Sequence, residues 1–313
     1  MQVNVIKNSK QYLGLALTMV ILSLGVFFTK GLNYGIDFSG GNLLQIKYEN
    51  KITLHDINES LDNIQGIPQI GTNSRKVQIS EDNTVIIRTQ EISEDEKKEI
   101  LNALQSVGAY QIDKEDKVGA SVGEELKTSA IYALGIGAVL IIIYITFRFE
   151  FIFAVGAIVA LLHDLILALG CISLLYYEIN TPFIAAILTI LGYSINDTIV
   201  VFDRIRENLK RRAKTQMSIE ECLAKSVNQV MIRSINTSVT TLFAIVAILL
   251  LGGDSLRTFI VTLLVGILAG TYSSVFIATP VVYFLHKKGD GKGMEKISVE
   301  KDEDQEDEEK ILV

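Results

Sequence analysis

Six near-uncharged apolar stretches, at 12–29, 130–147, 151–176, 183–202, 235–253 and 258–285, constrain this chain more than any other feature. Each is about 18 residues or longer, enough at about 1.5 Å per helical residue to cross a hydrocarbon layer roughly 30 Å thick. The overall composition, 49% hydrophobic and 21% charged, is close to that of an ordinary soluble domain, so the distribution decides. It excludes a soluble enzyme, a disordered chain, a disulfide scaffold and a β-barrel, and predicts a polytopic α-helical membrane protein with six spans. The first stretch ends Phe27-Phe28-Thr29-Lys30 with no small-x-small cleavage site, which predicts a retained helix rather than a signal peptide. The two cysteines, Cys171 and Cys222, lie in an apolar stretch and in a basic segment. They neither staple a domain nor form a metal-ligand spacing, and no cofactor motif is present.

Lys and Arg set the orientation. The N-terminus carries Lys7 and Lys10, the link 148–150 carries Arg148, the segment 203–236 carries eight from Arg204 to Arg233, and the sixth stretch runs into Lys287 and Lys288. The alternate links are poor in positive charge: 177–182 has none and 252–257 has one, Arg257. Both termini are therefore expected in the cytoplasm and 31–127 outside. The net charge of −7 reflects acidic residues in that outer segment and in the tail. Four regions follow: 1–30, the N-terminus and first span; 31–127, an extracytoplasmic domain; 128–288, spans two to six with a basic cytoplasmic loop at 203–236; and 289–313, an acidic tail expected to be disordered.

Within 31–127, residues 42–49 alternate as a strand through Leu44, Ile46 and Tyr48. Thr53-x-x-Asp56 opens a helix through Gln65, with Leu54, Ile57, Leu61 and Ile64 on one face. Residues 69–80 and 84–90 read as strands around the turn Glu81-Asp82-Asn83, Ser93-x-x-Glu96 opens a second helix through Ser106 with Ile100, Leu101 and Leu104 inward, and 110–116 closes as a strand. That order, β-α-β-β-α-β, is the ferredoxin-like split motif. Ser121-x-x-Glu124 is expected to cap the helix leading into span two.

Chemistry concentrates at ionisable groups within the apolar stretches, where a charge costs a few kcal/mol and needs a partner or a task. His163 and Asp164 lie near the middle of the third stretch. Asp197 lies in the fourth, in residues 192–198 (GYSINDT), and Ser194, Asp197, Val201 and Arg204 are spaced to share one helix face. The fifth opens Arg233-Ser-Ile-Asn-Thr-Ser, placing a cation and several hydroxyls at a depth similar to that of Asp197. Two roles are open: packing glue, in which the acids only bond neighbouring hydroxyls, and a protonation switch, because burial favours the neutral acid while a nearby Arg favours the carboxylate. The proton-relay reading falls on Asp197 and Arg233, then on Asp164 and His163, with Arg233 pairing Asp197 in one conformation. An intramembrane aspartyl protease does not fit: Ser-Ile-Asn precedes Asp197 where Gly-x-Gly is expected, and no nucleophile–base set appears. Gly266 and Gly270 form a small-xxx-small pair suited to close helix packing. Residues 218–233 read as an amphipathic loop helix lying on the membrane surface or on a partner. The basic run 204–214 reads as an inside anchor, with no nucleic-acid partner. Gly35–Gly41 (GIDFSGG) lacks the Lys and following helix of a phosphate loop and reads as a tight turn launching the first strand.

Residues 35–41 (GIDFSGG) and 192–208 (GYSINDTIVVFDRIREN) together resemble the SecF family, the small membrane subunits of bacterial SecD–SecF protein-export complexes in the resistance-nodulation-division superfamily. The resemblance runs from about Tyr12 to Leu285 and departs only in the acidic tail. It rests on Gly35, Asp37, Gly40 and Gly41 in the first motif and on Gly192, Asn196 and Arg204 in the second. It implies an inner-membrane subunit that pairs with SecD, works beside the SecYEG translocon on exported polypeptides among membrane lipids, and uses the proton motive force through Asp197 and Arg233. Half of a proton-driven small-solute or lipid exporter of the same superfamily is the alternative. Such exporters generally carry two large outer loops in twelve spans, whereas this chain has one in six. A scaffold whose acids are only glue is a third reading.

Overall fold

The structure, a computed structural model, describes residues 4–288 except 65, 73, 81, 82, 216, 254 and 255. The acidic tail 289–313, Gln65 at the expected end of the first outer helix, and Glu81 and Asp82 of the expected turn lie outside the described residues. In chain order the elements are α1 (Ser9–Lys30), β1 (Asn33–Tyr34), α2 (Ile36–Ser39), β2 (Gly41–Tyr48), α3 (Leu54–Asp62), a 3-10 turn at Pro68–Ile70, β3 (Lys76–Ile79), β4 (Thr84–Thr89), α4 (Glu94–Gln105), β5 (Tyr110–Val118) and α5 (Ala120–Arg148). There follow α6 (Phe151–Leu175), β6 (Glu178–Ile179), α7 (Thr181–Thr215), α8 (Ile219–Leu251), α9 (Arg257–Ser273), a π-helical segment at Ser274–Ala278, and α10 (Thr279–Lys288). The chain divides into two compact units, Tyr34–Tyr132 and the remainder.

In the first unit, β2, α3, β3, β4, α4 and β5 make one antiparallel sheet in the order β3-β4-β2-β5 with two helices. This is the ferredoxin-like motif expected from the pattern. Both helix starts are capping boxes: the Asp56 carboxylate accepts the Thr53 N–H at 3.0 Å, and Glu96 accepts that of Ser93 at 2.7 Å. Those backbone donors hold both carboxyls below the usual carboxylate range. Leu44 and Ile46 of β2, Val85 and Ile87 of β4, Ile57 and Leu61 of α3, and Ile100 and Leu104 of α4 form the core. Leu54, expected inward, is exposed, because it opens α3 before the helix settles on the sheet. Residues 69–80 are not one strand. Pro68 starts a 3-10 turn, and only Lys76–Ile79 pairs with β4. Arg75 replaces the missing ladder: its buried guanidinium donates to Ile70 O at 2.6 Å and to Asn58 Oδ1 at 3.0 Å, and pairs with Asp62 at 2.7 Å.

Gly35–Gly41 contains a single helical turn, α2, and the strand β2 follows it as expected. Gly40 (φ +68°) and Gly41 (φ +117°) then swing the chain into β2. A Cβ at Gly41 would collide with the Thr89 carbonyl oxygen, and one at Gly40 would lie 2.9 Å from Ala120 Cα. Ser121 does not cap α5. The helix already runs through Ala120, and the Gly123 N–H donates to Gly119 O at 3.0 Å.

Among the described residues, six helices are long and apolar enough to cross a membrane: α1, α5, α6, α7, α8, and α9 continued through the π segment and α10. Half of the residues in the apolar windows of α6 and α7, and 67% in that of the last span, are buried, against 6% in α1 and α5 and 17% in α8. Spans three, four and six are therefore the centre of the second unit, and α1, α5 and α8 present apolar side chains outward. Where helices touch, small residues permit it. A Cβ at Gly170 of α6 would lie 2.7 Å from Ser23 Cα of α1, and one at Gly270 of α9 would lie 3.1 Å from Ser194 Cβ of α7. The segment 203–236 is not a loop. Helix α7 continues to Thr215, and Ser218 caps α8, which runs unbroken into span five. Nothing between Asp203 and Thr215 breaks a helix, since Arg, Glu, Leu, Lys and Ala all favour one.

Candidate functional site

Asp164 is the fully buried centre of a polar cluster in the second unit. It lies in the middle of α6. Its Oδ2 accepts the Ser194 hydroxyl of α7 at 2.6 Å and the Ser273 hydroxyl of α9 at 2.7 Å, and its Oδ1 lies 2.9 Å from His163 Nδ1. An ionised carboxyl can only accept, so Nδ1 then donates to it, and in the neutral ring Nε2 is an acceptor. His163 Nε2 is buried with no hydrogen-bond partner among the described residues. The His163 ring lies 6.1 Å from that of Tyr272, whose hydroxyl donates to Tyr12 O at 2.9 Å.

Asp197 lies one turn beyond Ser194 on the same buried face of α7, as the spacing predicts, with Thr198 and Val201 also buried. Its Oδ2 accepts the Ser274 hydroxyl at 2.9 Å. No lysine or arginine pairs with Asp164 or Asp197 among the described residues. Both carboxyls are held by neutral hydroxyls, and by an imidazole at Asp164. Such a site can take and release a proton without breaking an ion pair, because a hydroxyl or a histidine can bond either form of the acid.

Arg233 does not reach Asp197 in this structure. Ser234 and Ser238 face into the bundle, Ser238 sharing a 2.6 Å hydrogen bond with Thr271. The helical period therefore turns the neighbouring Arg233 to the exposed side of α8. Arg204, on the Asp197 face, is engaged elsewhere: it pairs with Glu207 and donates to Gln229 Oε1 at 2.7 Å. Gly192 and Asn196 lie on the exposed side of α7. Gly35, Asp37, Gly40 and Gly41 lie in the first unit, where they shape the entry to β2.

Ser273 and Ser274 are the functional candidates that sequence reasoning misses. Their signal is an adjacent hydroxyl pair in an apolar span, three and four residues after Gly270, the small residue that brings α9 against α7.

Known proteins resemble this arrangement over nearly the whole chain. The family "Protein export membrane protein SecD/SecF, C-terminal" matches residues 97–288, and the SecD/SecF GG motif matches 25–52, which includes the Gly40–Gly41 turn. A protein translocase subunit SecF of Sebaldella termitidis is 48% identical, with 92% of this chain and 93% of that protein covered. A SecF of Pseudomonas aeruginosa is 38% identical over 86% of this chain and 87% of its own. The crystal structure of SecDF, a translocon-associated membrane protein from Thermus thermophilus, superposes with a TM-score of 0.83 at 34% identity, over 92% of this chain and 39% of that one. A SecF-like region thus occurs there inside a longer SecDF polypeptide, of which this chain spans well under half. The chain is a multi-pass membrane protein that belongs to the SecF family of protein translocase subunits.

Proposed function

We propose that this chain works in Sec protein export as the partner of a SecD-type subunit beside the SecYEG channel, and that it uses the proton gradient to draw exported polypeptides outward. Family membership supports the export role, and a relative that carries SecD and SecF in one chain supports the SecD partner. The names of the relatives are those of transport components rather than of enzymes. The loop charges support the cytoplasmic membrane as location, with both termini inside and the unit 34–132 outside. One observation carries the proton reading: two buried carboxyls, Asp164 and Asp197, sit within an apolar bundle with hydroxyl and imidazole partners and, among the described residues, no lysine or arginine partner. Asp197 is the main loading site, and Asp164 with His163 the second. Arg233 joins them when α8 turns or the partner subunit rearranges.

Each proton crossing 100 mV delivers about 2.3 kcal/mol. Without a titrating group at this depth that energy has no entry. Asp197→Asn keeps volume and hydrogen bonding, so the variant should insert and bind its partner while gradient-dependent export stops. Arg233→Lys should keep part of the activity and Arg233→Met lose most of it, because Lys keeps the charge but not the planar fork. Normal export by Asp197→Asn at normal expression would leave Asp197 as packing glue.

A further inference from the structure

Ser273 and Ser274 are consecutive residues, the last of α9 and the first of the π-helical segment, yet they serve different helices. Ser273 donates to Asp164 of α6 at 2.7 Å, and Ser274 donates to Asp197 of α7 at 2.9 Å. Each hydroxyl also has a second acceptor three residues back in its own helix, Gly270 O for Ser273 and Thr271 O for Ser274, both at 3.3 Å. A hydroxyl has one proton to give. The carboxylate holds it while ionised, because a charge-assisted hydrogen bond is about twice as strong as a neutral one. Once the carboxyl takes a proton, that advantage is gone and the carbonyl is within a side-chain rotation.

The backbone here is suited to such a change. Pro280 has no N–H to give to Phe276 O, and its ring crowds that carbonyl, so the helix widens into a π turn over Ser274–Ala278. Single π turns in helices are frequent at functional sites. Gly270 lets α9 approach Ser194 closely enough for both serines to reach their acids.

We infer that Ser273 and Ser274 are a paired sensor in span six: each holds one buried carboxylate on a neighbouring helix, and each lets go when that acid takes up a proton. The pair thereby ties spans three and four to span six while both acids are ionised and frees span six from whichever is protonated. The one covalent change is the carboxyl O–H bond that forms when a proton from the gradient arrives. A proton enters the carboxyl, and one hydroxyl hydrogen bond moves from that carboxyl to a main-chain carbonyl. The inference rests on the proposed proton-handling role of these acids. Both serines are positioning residues, acting through Asp164 and Asp197.

On the elements packed against α6 and α7 the other titratable or charged groups are Lys10, Tyr12 and Lys30 on α1, His163 and Cys171 on α6, Glu178 on β6, Glu220, Glu221, Cys222, Lys225 and Arg233 on α8, Arg257 and Tyr272 on α9, and Tyr283, His286, Lys287 and Lys288 on α10. Of these, only His163 bonds either acid among the described residues.

The test is an infrared titration of the carboxyl C=O band in the full chain, reconstituted with its SecD-type partner and compared across variants. The Asp197 band is the one that Asp197→Asn removes. Ser274→Ala should move its midpoint to higher pH by about one unit, the loss of one hydrogen-bond donor to a carboxylate. Ser274→Thr should restore the midpoint, and Ser274→Cys, a weaker donor of similar size, should fall between. Ser273→Ala should leave the Asp197 band in place and shift only an Asp164 band, by less, since Ser194 and His163 remain. An Asp197 midpoint unmoved in both Ser274→Ala and Ser274→Cys, an equal shift in Ser274→Thr, or the absence of any titrating Asp197 band overturns the inference. These outcomes are separate from the export result: normal export by Asp197→Asn removes the role of the acid whatever the serines do to its titration.

Discussion

At the scale of single residues, the unit 34–132 places a tight steric demand on a glycine and buries an arginine. Gly41 has φ +117° and no room for a Cβ against the Thr89 carbonyl. Gly41→Ala should therefore cost about 3 kcal/mol, adding backbone strain to overpacking. Hydrogen exchange of the β2 and β4 amides in the full chain checks this, and unchanged protection would contradict it. The guanidinium of Arg75 holds the Asp62 carboxyl below the usual carboxylate range. Because the folded carboxyl ionises at lower pH than the unfolded one, the pair stabilises the fold above the ordinary carboxylate range, and that contribution disappears as pH falls through the folded value. Exchange protection of β3 and β4 should thus weaken on acidification in the parent chain, with a smaller acid-dependent change in Asp62→Asn. Equal acid sensitivity in both would contradict the pair. Asp197, Asp164 and His163 are legible in sequence because a charge in an apolar run stands out. Arg75, Ser273 and Ser274 are not, since an Arg in a soluble segment and a Ser in a span are ordinary until the fold shows what they touch.

At the scale of elements, period and capping chemistry identify most of the helices and strands. The two capping boxes of the unit 34–132 and the alternation through Leu44 and Ile46 need no tertiary information. Two elements escape that reasoning for physical reasons. Positive charge marks where the membrane ends, not where a helix ends, so α7 and α8 carry on through the basic segment. The π turn arises from Pro280 acting four residues upstream, which no apolar period reveals. Contact between spans depends on single small residues. A Cβ at Gly170 would press on the main chain of Ser23, 2.7 Å from its Cα, so Gly170→Val should displace α1 from α6 and cost about 1–3 kcal/mol. Disulfide trapping between cysteines placed at Val26 and Ser173, which touch across the two helices, should then weaken relative to the same pair with Gly170 in place, and equal trapping would show that the contact is not tight.

At the scale of the whole molecule, family membership, a ferredoxin-like unit after the first span and a buried acid pair in the bundle belong to one account. Its orientation can be tested directly. In a background with Cys171 and Cys222 replaced by Ala, a cysteine at Lys98 should react in intact cells with a membrane-impermeant thiol reagent, and one at Lys225 should not. Both positions are exposed on the protein. Labelling at Lys225 would invert the topology. The central claim is that protons pass by way of Asp197. The measurement closest to it is potential-driven proton entry into vesicles that contain the chain with its SecD-type partner, followed by an internal pH dye. The account predicts proton entry in the parent and at least about a tenfold fall in Asp197→Asn, the equivalent of roughly 1.4 kcal/mol on the limiting barrier. Proton entry at the parental rate in Asp197→Asn would contradict it.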